Sequence, residues 1–120
     1  MTDHIELGKL GEKMAAEHLD KKGFQILHKN YVYGRAEVDI VAMKDNTIVF
    51  VEVKTRESSY LSAPEYTVSL KKQRQIIKAA DAYLKEHQLE QESRFDIISI
   101  IINSQYNKLE HLEHAFYPTG

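Results

Sequence analysis

No cysteine occurs in the 120 residues, which excludes disulfides, thiolate zinc sites and cysteine nucleophiles and allows a reducing compartment. No apolar run approaches the roughly 20 residues that cross a bilayer, and the start, Met1-Thr2-Asp3-His4-Ile5-Glu6, has no signal-peptide pattern, so a cytoplasmic protein is expected. Positive charge is not in excess. Sixteen Lys and Arg stand against 18 Asp and Glu, a formal net charge of -2, so any attraction to nucleic acid must come from a local patch. There is no glycine-rich phosphate loop, and Ser58 and Ser59 lack the context of a nucleophile elbow. Repeats, low-complexity stretches and an internal linker are also missing. What remains, 42% hydrophobic residues, suits one domain over residues 1–120 with a core that needs no staples.

Periodicity orders the chain as helix, three strands, helix, two strands, an α/β pattern. A first helix runs from about Leu7 to Lys22 and stops at Gly23. Phe24 to Val32 reads as a strand, and Glu37–Ala42 and Ile48–Lys54 as the two arms of a hairpin turning at Asp45-Asn46. Glu57 to Thr67, with Ser58, Ser59, Ser62 and Pro64, reads as a long loop of the kind that carries function. A second helix spans about Ser69 to His87, with an apolar stripe through Leu70, Ile76, Ile77, Ala80, Tyr83 and Leu84. Phe95–Ile102 reads as a buried strand. In the tail, Leu109, Leu112 and Phe116 fit a helix period, while Leu112, His114 and Phe116 fit alternation; of the two, a final strand is expected.

The hairpin carries the chemistry. Pairing Lys44 with Thr47 makes opposed residue numbers sum to 91, which sets Asp39 across from Glu52 and Glu37 across from Lys54 on one face. Opposed carboxylates repel, and among Val38, Ile40, Phe50, Val51 and Val53 they need a cation. Charges on a solvated strand face would explain Glu-x-Lys equally well, but Ile48–Val53 is apolar on both faces, as in a strand covered on both sides, so charges at its end are placed to line a cleft. On the first helix Glu12 shares a stripe with Gly8, Ala15, Ala16 and Leu19. It either adds a third carboxylate to the pair or reaches water from the stripe's boundary.

Lys71, Arg74, Lys78 and Lys85 recur at helical spacing on the second helix, read as opposite Ile77 and Leu84, with Lys72 and Arg56 widening the patch. A solvated polar face explains the same pattern. Beside an acidic cleft it becomes a surface for phosphate backbone, favouring recognition of structure over sequence. Tyr60 and Tyr66 in the long loop can stack on bases or pack locally. His111 and His114 have a zinc-like spacing for a helix, but on a strand they point to opposite faces.

Gly8-x-x-Gly11-Glu12-x-x-Ala15, Gly34-x-Ala36-Glu37-Val38-Asp39-Ile40-Val41-Ala42, Val49-Phe50-Val51-Glu52-Val53-Lys54-Thr55-Arg56, Phe95-Asp96-Ile97-Ile98 and His114-Ala115-Phe116 together resemble the YraN-like proteins over nearly the whole chain. That family is similar to the PD-(D/E)XK nuclease superfamily and, within it, to archaeal Holliday junction resolvases. The resemblance implies a restriction-endonuclease-like three-layer core, a mixed central sheet flanked by helices. It gives Asp39 the aspartate role, Glu52 that of the second acid, Lys54 that of the lysine and Glu12 that of the acid on the first helix. Val38 stands where the motif's name has proline, which removes no chemical group. By the same resemblance the expected substrate is nucleic acid, structured or branched DNA, and a homodimer is suggested because resolvases cut two strands symmetrically.

The groups themselves suit phosphodiester hydrolysis with Mg²⁺ or Mn²⁺, which keep several waters and borrow ligands from substrate phosphate. Asp39 and Glu52 are the expected metal ligands, with the carbonyl of Val53 and the carboxylate of Glu12 as further donors. Lys54 would orient or deprotonate water and stabilise developing charge, and Glu37 is a further ligand or a partner for Lys54. Two alternatives stay open: a nucleic-acid-binding module with little activity, and a protein-interaction domain.

Overall fold

The computed structural model describes residues 4–57 and 68–118. Its elements run α1 (His4–Lys21), β1 (Gln25–Tyr33), β2 (Ala36–Lys44), β3 (Thr47–Arg56), α2 (Leu70–Glu86), β4 (Glu92–Ile102) and β5 (Asn107–Phe116). The tail is therefore a strand, as its alternation suggests. Residues 58–67 of the long loop, with Tyr60 and Tyr66, lie outside the described residues.

Local chemistry sets the boundaries. Gly23, at φ 90°, turns the chain out of α1 in a conformation that costs other residues. Asp45 and Asn46 both have positive φ, 50° and 62°, which a two-residue hairpin turn needs and which these residue types tolerate. Ser69 caps α2, its Oγ accepting from the Lys72 amide at 3.1 Å.

The strands form one sheet in sequence order, β1-β2-β3-β4-β5, antiparallel except for parallel β3 and β4. A parallel neighbour requires a crossover, and α2 supplies it. One core packs on each face of the sheet. Ile76, Ala79, Ala80 and Tyr83 of α2 meet Val38, Val41, Ile48 and Phe50. Ala15, Ala16 and Leu19 of α1 meet Ile40, Ala42, Val49, Val51 and Ile98. With a helix layer on either side, β3 and β4 are apolar on both faces, as their sequences require.

Candidate active site

The hairpin follows the expected register from Lys44↔Thr47 to Ile40↔Val51, and there the paired register ends. Val38 belongs to the α2-side core and Ile40 to the α1-side core, so strict alternation fails across Asp39. Instead of continuing the ladder, Asp39 accepts the Val53 amide on Oδ2 at 2.7 Å. Its carboxyl also shares a hydrogen bond with Glu52. The two acids are 8% and 7% exposed. Burial first, then Glu52, pushes the Asp39 pKa up to about 8, so the pair holds a proton that two separated carboxylates would release at neutral pH.

Glu37 does not sit across from Lys54, because the arms part before that level. Its carboxyl is raised by burial and by a hydrogen bond with Asp39, and it joins the acid group. Glu12 approaches from α1. Burial, then the charges of Asp39 and Glu37, raise its pKa, while Asn30 hydrogen-bonds it. The approach depends on its neighbour: a Cβ on Gly11 would overlap the Thr55 side chain, so only glycine lets α1 lie this close to β3.

Lys54 borders the acids. Burial and Arg56 lower its pKa, against the opposing effect of Glu52. Lys72 is not on the outer basic patch: its Nζ lies 3.1 Å from Glu52 Oε2, and although partial burial opposes its charge, Glu52 raises its pKa. Its phase with Ile76, Ala79 and Tyr83 gives the signal, since residues four, seven and eleven apart share a helix face. Glu52, Val53, Lys54, Ser69 and Lys72 line a cavity of about 230 Å³.

The other basic residues of α2 lie outside this cavity. Lys71, Arg74, Lys78 and Lys85 are exposed. Arg74 and Lys78 do not face away from Ile77 and Leu84, since three- and four-residue steps keep them on one side of the helix. Arg74, Ile77, Lys78 and Leu84 together border a groove of about 430 Å³ between α2 and β4. His111 and His114 are also separate: His111 bonds Asp96, while His114 stacks on Tyr117.

Among the described residues, no three His, Asp or Glu side chains are gathered so as to hold a metal by themselves. Asp39 and Glu52 nevertheless suit Mg²⁺, which binds through one or two carboxylates and keeps its waters. A divalent ion can take the place of the proton these acids now share.

Residues 11–100 match the sequence profile described as Uncharacterised protein family UPF0102. The chain belongs to this family. A UPF0102 protein of Flavobacterium johnsoniae is 49% identical over 121 residues, with 98% of each chain covered. Those of Christiangramia forsetii and Bacteroides thetaiotaomicron are 45% and 44% identical, again over 98% of each chain. The UPF0102 match includes Gly11, Glu12, Asp39, Glu52, Lys54 and Lys72, and ends within β4, before His111.

Proposed function

We propose that this UPF0102 chain is a divalent-metal-dependent nuclease of the restriction-endonuclease-like type, acting on phosphodiester bonds in structured DNA. The observation that carries the reading is the Asp39–Glu52 pair: two buried carboxyls in contact at the point where β2 and β3 part. Keeping this buried pair protonated at neutral pH costs stability, a cost that a bound cation in the proton's place would offset.

Asp39 and Glu52 would hold the ion, with the Val53 carbonyl and Glu12 as further donors. When bound, Mg²⁺ or Mn²⁺ supplies an acidified water and neutralises charge on the phosphate oxygens. The Val53 amide fixes one Asp39 oxygen, so that carboxyl is positioned before any ligand arrives. Lys54, its pKa lowered by burial and Arg56, is moved toward the range in which an amine takes a proton from water. Lys72 is within reach of the same cavity and can exchange Glu52 for a substrate phosphate oxygen. Lys71, Arg74, Lys78 and Arg56 provide contacts to phosphate backbone, which carry no base information.

The test uses branched, duplex and single-stranded oligonucleotides with Mg²⁺, Mn²⁺ or chelator. Metal-dependent cleavage is expected to fall by about 100-fold or more in Asp39→Asn, with the fold kept and nucleic-acid affinity equal or higher. No cleavage of any substrate removes the nuclease reading. Salt-dependent binding without cleavage would leave a binding module of the same fold, and the absence of both would leave a protein-interaction domain.

A further inference from the structure

A second cluster of ionisable groups lies apart from the acid pair, where the last turns of α1 meet β4 and β5. Its centre is Asp96, 0% exposed. Arg94 donates to both of its oxygens, from Nε at 3.0 Å and from Nη2 at 3.1 Å. The His114 amide donates at 3.1 Å, and His111 Nε2 lies 2.7 Å from Oδ2. Burial opposes its charge, yet the bonds from His111, Arg94 and His114 hold the carboxyl below its ordinary range. An ionised carboxylate only accepts, so Nε2 of His111 carries the hydrogen. The other ring nitrogen, Nδ1, lies 3.1 Å from His18 Nε2.

What Asp96 provides is a fixed ring orientation and a fixed tautomer. A carboxylate on the far nitrogen of an imidazole is the usual outer support of a metal-binding histidine. Two imidazole nitrogens on a tetrahedral zinc, each at roughly 2.0–2.1 Å, stand about 3.3 Å apart. The present 3.1 Å gap is close to that separation.

Glu113 follows His111 by two residues on β5, so both point to the same side, and both border a cavity of about 310 Å³ with His18 and Phe24. Its carboxylate is 57% exposed and lies 3.1 Å from Arg94 Nη2. It is thus a ligand in reserve, which must leave Arg94 to reach an ion. That is why no three-ligand group is preassembled among the described residues.

We propose that His18 Nε2, His111 Nδ1 and the Glu113 carboxylate form a site for a zinc-class divalent transition ion. Asp96 orients His111 from behind, and the fourth position faces the cavity. The ion takes the place of the hydrogen between the two rings, which passes to His18 Nδ1 or to solvent, and ties α1 to edge strand β5. Lys22 and Lys44, on the same cavity, suit an anionic fourth ligand such as hydroxide or carboxylate. Imidazole selects this class of ion over Mg²⁺, which the oxygen donors at Asp39 and Glu52 prefer. The site does not depend on the nuclease reading.

The test is a Zn²⁺ titration of chelator-stripped protein by calorimetry in excess Mg²⁺, with Co²⁺ absorption reporting tetrahedral geometry. One equivalent is expected to bind. His18→Gln and His111→Gln should each weaken binding by about tenfold or more, and Asp39→Asn should leave it unchanged. His18 is only half-buried, and glutamine is a good helix former, so His18→Gln keeps the assay meaningful even where His111→Gln unfolds. No zinc uptake in excess Mg²⁺, wild-type affinity in a folded His18→Gln protein, or loss of binding in Asp39→Asn would each overturn the proposal.

Discussion

Asp96 and Asp39 lie two strands apart in one sheet, both buried, and their surroundings treat the same carboxyl in opposite ways. Asp96 receives hydrogen bonds from Arg94, His111 and the His114 amide, and is held ionised against its burial. Asp39 receives the Val53 amide and otherwise faces another acid, so burial and Glu52 drive its pKa to about 8. Burial therefore does not decide the charge of a carboxyl; the donors around it do. Asp96 is surrounded by donors, while Asp39 meets another acid at the place where the proposed function would put an ion.

The sharpest way to break this contrast is to neutralise each aspartate. Asp96→Asn leaves the largely buried Arg94 with only the exposed Glu113 as a carboxylate partner and should cost about 3–5 kcal/mol in urea unfolding at neutral pH. Asp39→Asn removes a buried acid that must hold a proton at neutral pH, and should be neutral or stabilising. Equal costs would erase the distinction.

A pH series comes next. A carboxyl with a folded pKa of about 8, against roughly 3.9 when unfolded, binds its proton more tightly in the folded chain. Stability should therefore fall as pH rises from about 4 to about 8. The melting temperature of Asp39→Asn should fall less over that window. At the upper end Mg²⁺ should raise the melting temperature of the parent and leave that of Asp39→Asn nearly unmoved. A parent protein indifferent to both pH and Mg²⁺ would mean that Asp39 is as well satisfied as Asp96.

Smaller effects sharpen what Asp39 is waiting for. If the missing partner arrives with nucleic acid, replacing Lys71, Arg74 and Lys78 by Ala should weaken binding alike for all sequences. The slope of log affinity against log salt should become shallower by about 0.9 for each duplex phosphate that the variant no longer neutralises. An unchanged slope would move the binding surface elsewhere. Smallest of all, Lys72→Ala removes a positive charge beside Glu52 and should tighten Mg²⁺ binding a few-fold, measured without nucleic acid. Weaker binding would show that Lys72 organises the acids rather than competing for them.

Local pattern makes much of this legible. The Asp45-Asn46 turn sets the hairpin register, and apolar runs identify β3 and β4 as covered on both faces. The parting of β2 and β3 is not visible in the sequence, because it depends on a side chain replacing a ladder bond. As a result Asp39 is legible and the place of Glu37 is not. Grouping Lys72 with its basic neighbours misses its partner, although its phase with Ile76 and Tyr83 turns it toward Glu52. The partnership of His111 with His18 joins residues 93 apart in sequence, through packing of α1 on the edge of the sheet. The i,i+3 spacing to His114, the pattern that the sequence offers, has no part in it.

The hydrogen bond from Val53 to Asp39 also turns one amide into an internal gauge. A carbonyl acceptor in a ladder keeps the same charge at every pH, whereas this acceptor gains and loses a proton. The amide resonance of Val53 should therefore shift with the ionisation of Asp39, and respond to a cation that takes the proton's place. In an isotope-labelled sample, one backbone peak can follow loading of the site without substrate, dye or turnover.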